Sequence, residues 1–256
     1  MKTVNFNTVS GHSKWSTIKH KKSQTDARRG KLFAKLIKQV EVAAREGGGD
    51  PDSNPTLRTM YQKARDNSVP LDTIERAIKR GTGELEGVNY VPVSYEAYAP
   101  AGVALYIECL TDNRNRTGSD VRSTLTRAGG SLAQPGSVSW QFERKGLLNV
   151  KATVDEDELM VVAIDTGAED IVKSEEAFRV ITEATELHLV RQALEDAGIP
   201  FDSADVVMQP TTTVVISDVA TAKQIVQLMD ALDNLDDVQE VYANFDISDE
   251  LLDSLA

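Results

Sequence analysis

The sequence predicts an α+β multidomain chain: an N-terminal three-helix domain, then two α/β domains of ferredoxin-like, split βαβ plan, the third inserted in the second. Three observations predict this. The apolar spacing is helical up to about residue 82 and alternates like strands from about residue 91. The charge changes sign across the same boundary: residues 1–82 hold 17 Lys and Arg against 8 Asp and Glu, a net +9, while residues 83–256 hold 11 against 32, a net −21. The strand and helix order after residue 91 contains one complete β-α-β-β-α-β unit bracketed by two incomplete pieces. A chain of 256 residues has room for three small domains. The expected boundaries are 11–82, 83–144 plus 211–248, and 145–210.

The elements follow in order. Met1–Ser10 holds one Lys and no long apolar stretch, so it reads as a leader and not as a secretory signal. Residues 26–46 form a helix on the wheel, with Leu32, Phe33, Leu36, Ile37, Val40, Ala43 and Ala44 on one arc. Arg28, Lys31, Lys35, Lys38 and Arg45 lie opposite and are expected to face outward, and Gly47-Gly48-Gly49 ends the helix. Asn54-Pro55 opens a second helix whose core face is Leu57, Met60, Tyr61 and Ala64. A third starts near Pro70, turns Leu71, Ile74, Ala77 and Ile78 inward and stops at Gly81.

Past a glycine-containing linker, Val93–Tyr98 and Val103–Leu110 read as a strand hairpin turned by Ala-Pro-Ala-Gly. Thr117 is the expected cap of a helix running through Arg127, and Ser137–Phe142 the third strand. The complete unit is a strand at Leu147–Lys151, a helix at Glu156–Ile164, strands at Asp170–Val172 and Phe178–Thr182, a helix at Leu187–Ala197 and a strand at Ala204–Met208. A helix at Thr221–Leu232 and a strand at Val238–Phe245 then complete the interrupted neighbour.

The motifs point away from catalysis. There is no GxxxxGK[ST] phosphate loop, no GxGxxG and no GxSxG. The three histidines, His12, His20 and His188, lack helical metal-site spacing, and His188 is expected to be structural. Cys109 is the single cysteine; it shares strand parity with Val103, Leu105 and Ile107 and is expected in the core. A lone thiol suits a reducing cytoplasm. No run of about 18 apolar residues could span a membrane. No enzyme activity, cofactor or metal is expected.

The positive signal is GHSKWSTIKHKK, residues 11–22. Lys14, Lys19, Lys21 and Lys22 can neutralise phosphates and release counterions, His20 adds a donor, and Trp15 can stack on a base or sugar. With Arg28, Arg29, Lys31, Lys35 and Lys38, residues 11–38 carry nine Lys and Arg against Asp26 alone. A nucleic-acid partner is favoured over a solvated tail. A second candidate anion site is Asn113, Arg114, Asn115 and Arg116, between a strand and a helix N-terminus. It reads equally as a capped turn in which Asp112 pairs with an arginine. The acidic α/β domains would repel nucleic acid and could face protein partners.

The segments GHSKWSTIKHKK, AREGGGDPDSNPTL (44–57), VPLDTIERAIKRGTG (69–83), Tyr95–Thr117 and Gly136–Gly146 resemble the YebC/PmpR family of probable transcriptional regulatory proteins. The resemblance extends over essentially the whole chain from Gly11, and the extra Met1–Ser10 departs from the family's usual start. It implies a helical first domain, two α/β domains with the third inserted in the second, and DNA binding with transcriptional control. It also implies kinship with a mitochondrial translational activator and with bacterial members linked to ribosomes stalled on proline-rich sequences, so a ribosome-associated translation factor is the rival to the leading reading of a DNA-binding transcription regulator. Lysine does not separate DNA from rRNA, because phosphate contacts carry no sequence information.

Overall fold

A computed structural model describes residues 26–174, 177–248 and 251. The helical domain is built from α1 (Asp26–Gly47), α2 (Pro55–Asp66) and α3 (Leu71–Gly81). Leu36, Val40, Leu57, Ala64, Ile74 and Ala77 close its core, each buried Leu or Ile contributing about 1.5–3 kcal/mol. Asn54 joins two helix ends. Its Oδ1 accepts from the Leu57 N–H at 3.0 Å, capping α2, and its Nδ2 donates to the carbonyls of Ala43 and Gly48, both at 2.8 Å. Gly48 ends α1 at φ +90, the left-handed conformation glycine adopts without strain. Gly81 lets α3 meet α1: a Cβ there would collide with the Glu41 carbonyl.

The second domain is a four-stranded antiparallel sheet in the order β3-β1-β2-β9, from β1 (Val91–Tyr98), β2 (Ala104–Thr111), β3 (Ser131–Leu132) and β9 (Val238–Ala243). Its apolar face, with Leu105, Ile107 and Val241, packs against Val121 and Leu125 of α4 (Arg114–Arg127) and Ile225 and Met229 of α7 (Val219–Asp233). Cys109 belongs to this core and is 3% exposed. A short parallel pair, β8 (Val214–Val215) with β10 (Phe245–Asp246), lies beside it.

Between β3 and β8 the chain builds the third domain: β4 (Phe142–Lys151), α5 (Glu156–Asp165), β5 (Ala168–Lys173), β6 (Ala177–Glu183), α6 (Leu187–Asp196) and β7 (Phe201–Pro210). The sheet order β5-β6-β4-β7, all antiparallel, is the ferredoxin-like arrangement inferred from the alternation. Leu148, Val150, Phe178 and Val180 of the sheet pack on Leu159 of α5 and Val190 and Leu194 of α6. This domain is inserted in the second, and its first and last strands meet at the point of insertion, Phe142 opposite Pro210.

Four local expectations need correction. Leu71, at the first position of α3, is 45% exposed and does not turn inward with Ile74 and Ala77. Ser137–Phe142 is not a strand: Ser139–Gln141 is a 3-10 turn, and β4 begins at Phe142. The cause is Glu96, whose carboxylate accepts the N–H groups of Gly136 (2.7 Å), Val138 (2.5 Å) and Ser139 (2.9 Å), drawing them away from any ladder. The third strand is instead the two-residue β3. Thr117 does not start α4. Asn113 does, accepting from the Arg116 N–H at 3.1 Å, while the Thr117 hydroxyl turns inward to Thr111 at 2.7 Å. His188 is exposed, its Nδ1 2.9 Å from the Thr185 carbonyl, and does not pack among apolar residues.

Candidate nucleic-acid interface

Lys14, Trp15, Lys19, His20, Lys21 and Lys22 lie outside the described residues. Arg28 is in the first turn of α1. Arg29 is exposed, its guanidinium 5.6 Å from the centroid of Phe33, one turn further along α1.

The remaining cations of α1 all have partners among the described residues. Three of them, Lys31, Lys35 and Lys38, reach the turn between α7 and β9, whose sequence is Asp233-Asn234-Leu235-Asp236-Asp237. Lys31 donates to the Asn234 carbonyl at 3.0 Å and its Oδ1 at 3.2 Å. Lys35, only 9% exposed, reaches both the carbonyl and Oδ1 of Asp233 at 2.8 Å. Lys38 donates to the Asp236 carbonyl at 2.9 Å and to Asp237 Oδ1 at 3.2 Å, with the Tyr90 ring 5.0 Å away. Arg45, also expected to face out, pairs with Glu41 at 3.1 Å and donates to the Val88 carbonyl at 2.9 Å. The outward-facing stripe is therefore an interdomain seam along much of its length. Lys31 remains exposed.

Asp237 joins the seam to the second candidate site. Its Oδ2 accepts from Arg116 (2.8 Å), Thr117 (2.8 Å) and Thr111 (3.2 Å), and its Oδ1 from Lys38. Burial pulls its pKa upward, but the hydrogen bonds from Arg116, Thr117 and Lys38 outweigh it and hold the carboxyl below its ordinary value. Arg116 is also fixed by Asp112 at 2.6 Å, and bonds to Asp237 and then Asp112 raise its pKa. Asn113 is committed as the α4 cap. Arg114 and Asn115 are exposed.

Around these groups opens a recess of about 510 Å3 with Lys38 and Arg116 in its wall beside Asp112, Asp120, Asp236 and Asp237. Carboxylates outnumber cations there, so its field favours an anion less than the loop sequence alone suggests. The structure thus brings Lys38 and Arg116 together on one carboxylate, a pairing that sequence spacing does not reveal. Asp237 is the site residue that sequence reasoning missed; its only signal is the density of acids between Asp230 and Asp237.

Cys109 is a free thiol buried in the core of the second domain. Burial, then the nearby Asp237, pushes its thiol pKa up to about 12. Among the described residues no group of three or more His, Cys, Asp or Glu is placed to hold a metal, and no helix is long and apolar enough to cross a membrane.

A basic helical domain welded to two acidic α/β domains, one interrupting the other, defines the class. The family model for the TACO1/YebC N-terminal domain matches residues 13–84, and that for the TACO1/YebC second and third domain matches residues 90–245. The chain belongs to the TACO1/YebC family. It is 54% identical over 250 residues to a "probable transcriptional regulatory protein" of Halothermothrix orenii, covering 96% of this chain and 99% of the relative. A protein of that description from Geobacter sulfurreducens is 52% identical, with 96% and 100% covered. The crystal structure of a conserved hypothetical protein, Aq1575, from Aquifex aeolicus superposes with a TM-score of 0.85 at 49% identity, over 94% of this chain and 99% of that one.

Proposed function

We propose that the chain is a cytoplasmic, nucleic-acid-binding regulator of gene expression, acting on DNA as a transcription regulator and catalysing no reaction. The observation that carries this reading is the segregation of charge, +9 in residues 1–82 against −21 in the remainder. The name shared by the relatives, probable transcriptional regulatory protein, supports it. Lys14, Lys19, Lys21 and Lys22, with His20 and the cations at the start of α1 (Arg28, Arg29 and Lys31), grip backbone phosphates. Lys35 and Lys38 contribute chiefly by holding α1 against the second domain. Arg114 and Asn115, exposed in the first turn of α4, form the secondary contact, and the acidic domains face protein partners.

Replacing Lys14, Lys19, Lys21 and Lys22 together by Ala tests the reading. Affinity falls for all duplex sequences alike, and the slope of log K against log salt becomes shallower by about 0.9 for each phosphate no longer neutralised. Unchanged affinity with an unchanged slope sinks the assignment.

A second reading, contact with rRNA by a ribosome-associated translation factor, is favoured by one observation. The α1 side chains Lys31, Lys35 and Lys38 are engaged with the α7–β9 turn, so these three do not form a free row aimed at base edges in a major groove. Trp15→Ala separates the two: a larger loss on single-stranded or ribosomal RNA than on duplex DNA identifies a stacking indole and an RNA target.

A further inference from the structure

Helix α5 (Glu156–Asp165) is apolar on two opposite sides. Leu159 and Ala163 are buried in the core of the third domain, with Val162 half-buried beside them. At 100° per residue, Met160, Ile164 and Val161 fall on the opposite arc. They are 38%, 57% and 62% exposed. Ile164 follows Met160 by four residues and Val161 by three, so the three side chains are neighbours on the helix surface. Leu189, on the adjacent helix α6, is exposed as well. A helix that is hydrophobic all round is normally buried all round. One exposed leucine needs no explanation, but a cluster marks a surface that something covers.

Charge selects the occupant. Helix α5 carries Glu156, Asp157, Glu158 and Asp165 and no basic residue. On the wheel Asp157 lies within the apolar stripe, Glu156 flanks Met160, and Asp165 and Glu158 follow Val161. Glu156 pairs with Lys173. Asp157, Glu158 and Asp165 have no cation among the described residues. This rim repels polyanions, so nucleic acid and an anionic membrane are poor occupants. A second copy laid face to face about a twofold axis would set the same carboxylates against each other. Lys31, Lys35 and Lys38 of α1 are engaged with the α7–β9 turn. The complementary surface is a segment of another protein whose apolar side chains are flanked by Lys or Arg. A stripe running along about two turns of helix matches a partner helix with apolar anchors at i, i+3 and i+4.

We propose that the outer face of α5, centred on Met160, Val161 and Ile164, is the docking surface for a basic amphipathic helix of a protein partner. This rests on the reading in which the acidic domains face protein partners, and deepens it. Its test contains no nucleic acid, so it can fail while the phosphate contacts, tested by the lysine variant, stand.

Fluorescence anisotropy with the full-length protein uses a labelled peptide of about 15 residues, with leucines on one helical face and lysines on the other. One control peptide has the same composition in an order that disperses the leucines, and a second has glutamate for lysine. The expected result is saturable binding of the first, binding about tenfold or more weaker for the dispersed peptide, and none for the glutamate peptide. Val161→Ser with Ile164→Ser weakens the first by about tenfold or more and leaves thermal unfolding where it was, because both side chains are exposed. Asp157→Asn with Asp165→Asn leaves the apolar stripe intact, weakens binding and makes it less sensitive to salt; it serves if the serine variant does not fold. Equal binding of all three peptides, no saturable binding of the first, undiminished binding by the folded variants, or a concentration-dependent dimer that the serine substitutions dissociate overturns the proposal.

Discussion

Asp237 and Cys109 meet where β9 begins and β2 ends, and they titrate in opposite directions. Asp237 has a lowered pKa in the folded chain. Its stabilising contribution is therefore complete above the ordinary aspartate range and drains away as pH falls through the lowered value. Urea denaturation between about pH 2 and pH 5 should show a shallower acid limb for Asp237→Asn than for the parent chain. Cys109 is the reverse case. Its pKa rises from 9.0 to about 12, so the unfolded chain loses its proton first. The stability that follows from keeping the thiol neutral is whole below about pH 9 and diminishes as pH climbs toward 12. Cys109→Ala should flatten the decline between about pH 9 and pH 10, before the tyrosines titrate. At neutral pH the thiol acts as packing. Cys109→Ser should leave nucleic-acid binding unchanged and cost about 1–3 kcal/mol in chemical denaturation, the penalty for a buried hydroxyl in an apolar core. Lost regulatory activity at undiminished stability would show that the thiol has a chemical role.

Helix α1 serves two surfaces. One arc closes the helical core, and the opposite arc is a row of cations laid along the α7–β9 turn. Lys35 and Asp233 form an enclosed charge pair across that seam, with side chains 11% and 20% exposed. A double-mutant cycle of Lys35→Met and Asp233→Asn should give a coupling energy of about 0.5–3 kcal/mol in urea denaturation. Strict additivity would mean that the pair contributes nothing. This seam also marks how far the sequence could be read. Helical periodicity identified both arcs of α1, since 3.6-residue spacing is a local property. Nothing local distinguishes a lysine that faces water from one that faces an aspartate two hundred residues later. The same limit explains the absence of a strand at Ser137–Phe142, where the three N–H groups answer to Glu96, some forty residues away. Cap chemistry was ambiguous for a different reason: Asn113 and Thr117 are both good caps, and Asp237 decides between them by engaging the threonine. Strand alternation, by contrast, carried the ferredoxin-like order and the burial of Cys109, because both depend on neighbours two residues apart.

At the scale of the whole molecule, the insertion is closed at its base by the pairing of Phe142 with Pro210 and Glu143 with Gln209. Deleting residues 145–210 and joining the ends with a short linker should leave a remainder that still unfolds cooperatively. Its stability should be reduced, because Phe142 and Tyr242 no longer pack on Val207 and Met208. A remainder without cooperative melting, with 145–210 alone unfolded, would place the boundary elsewhere. That closed base also bears on how the chain acquires its shape during synthesis. Strands β1 and β2 leave the ribosome early, yet β2 has no partner on its second edge until β9 arrives, Leu105 waiting for Ala243. The nascent sheet would have an open flank for most of translation, the condition under which strands stray to other chains. A third domain that folds as soon as β7 emerges draws its two ends together and shortens the tether over which β9 must search, lowering the entropy of that late closure. The interruption in the second domain thus acts as a built-in clasp, made in time to bring the last strand home.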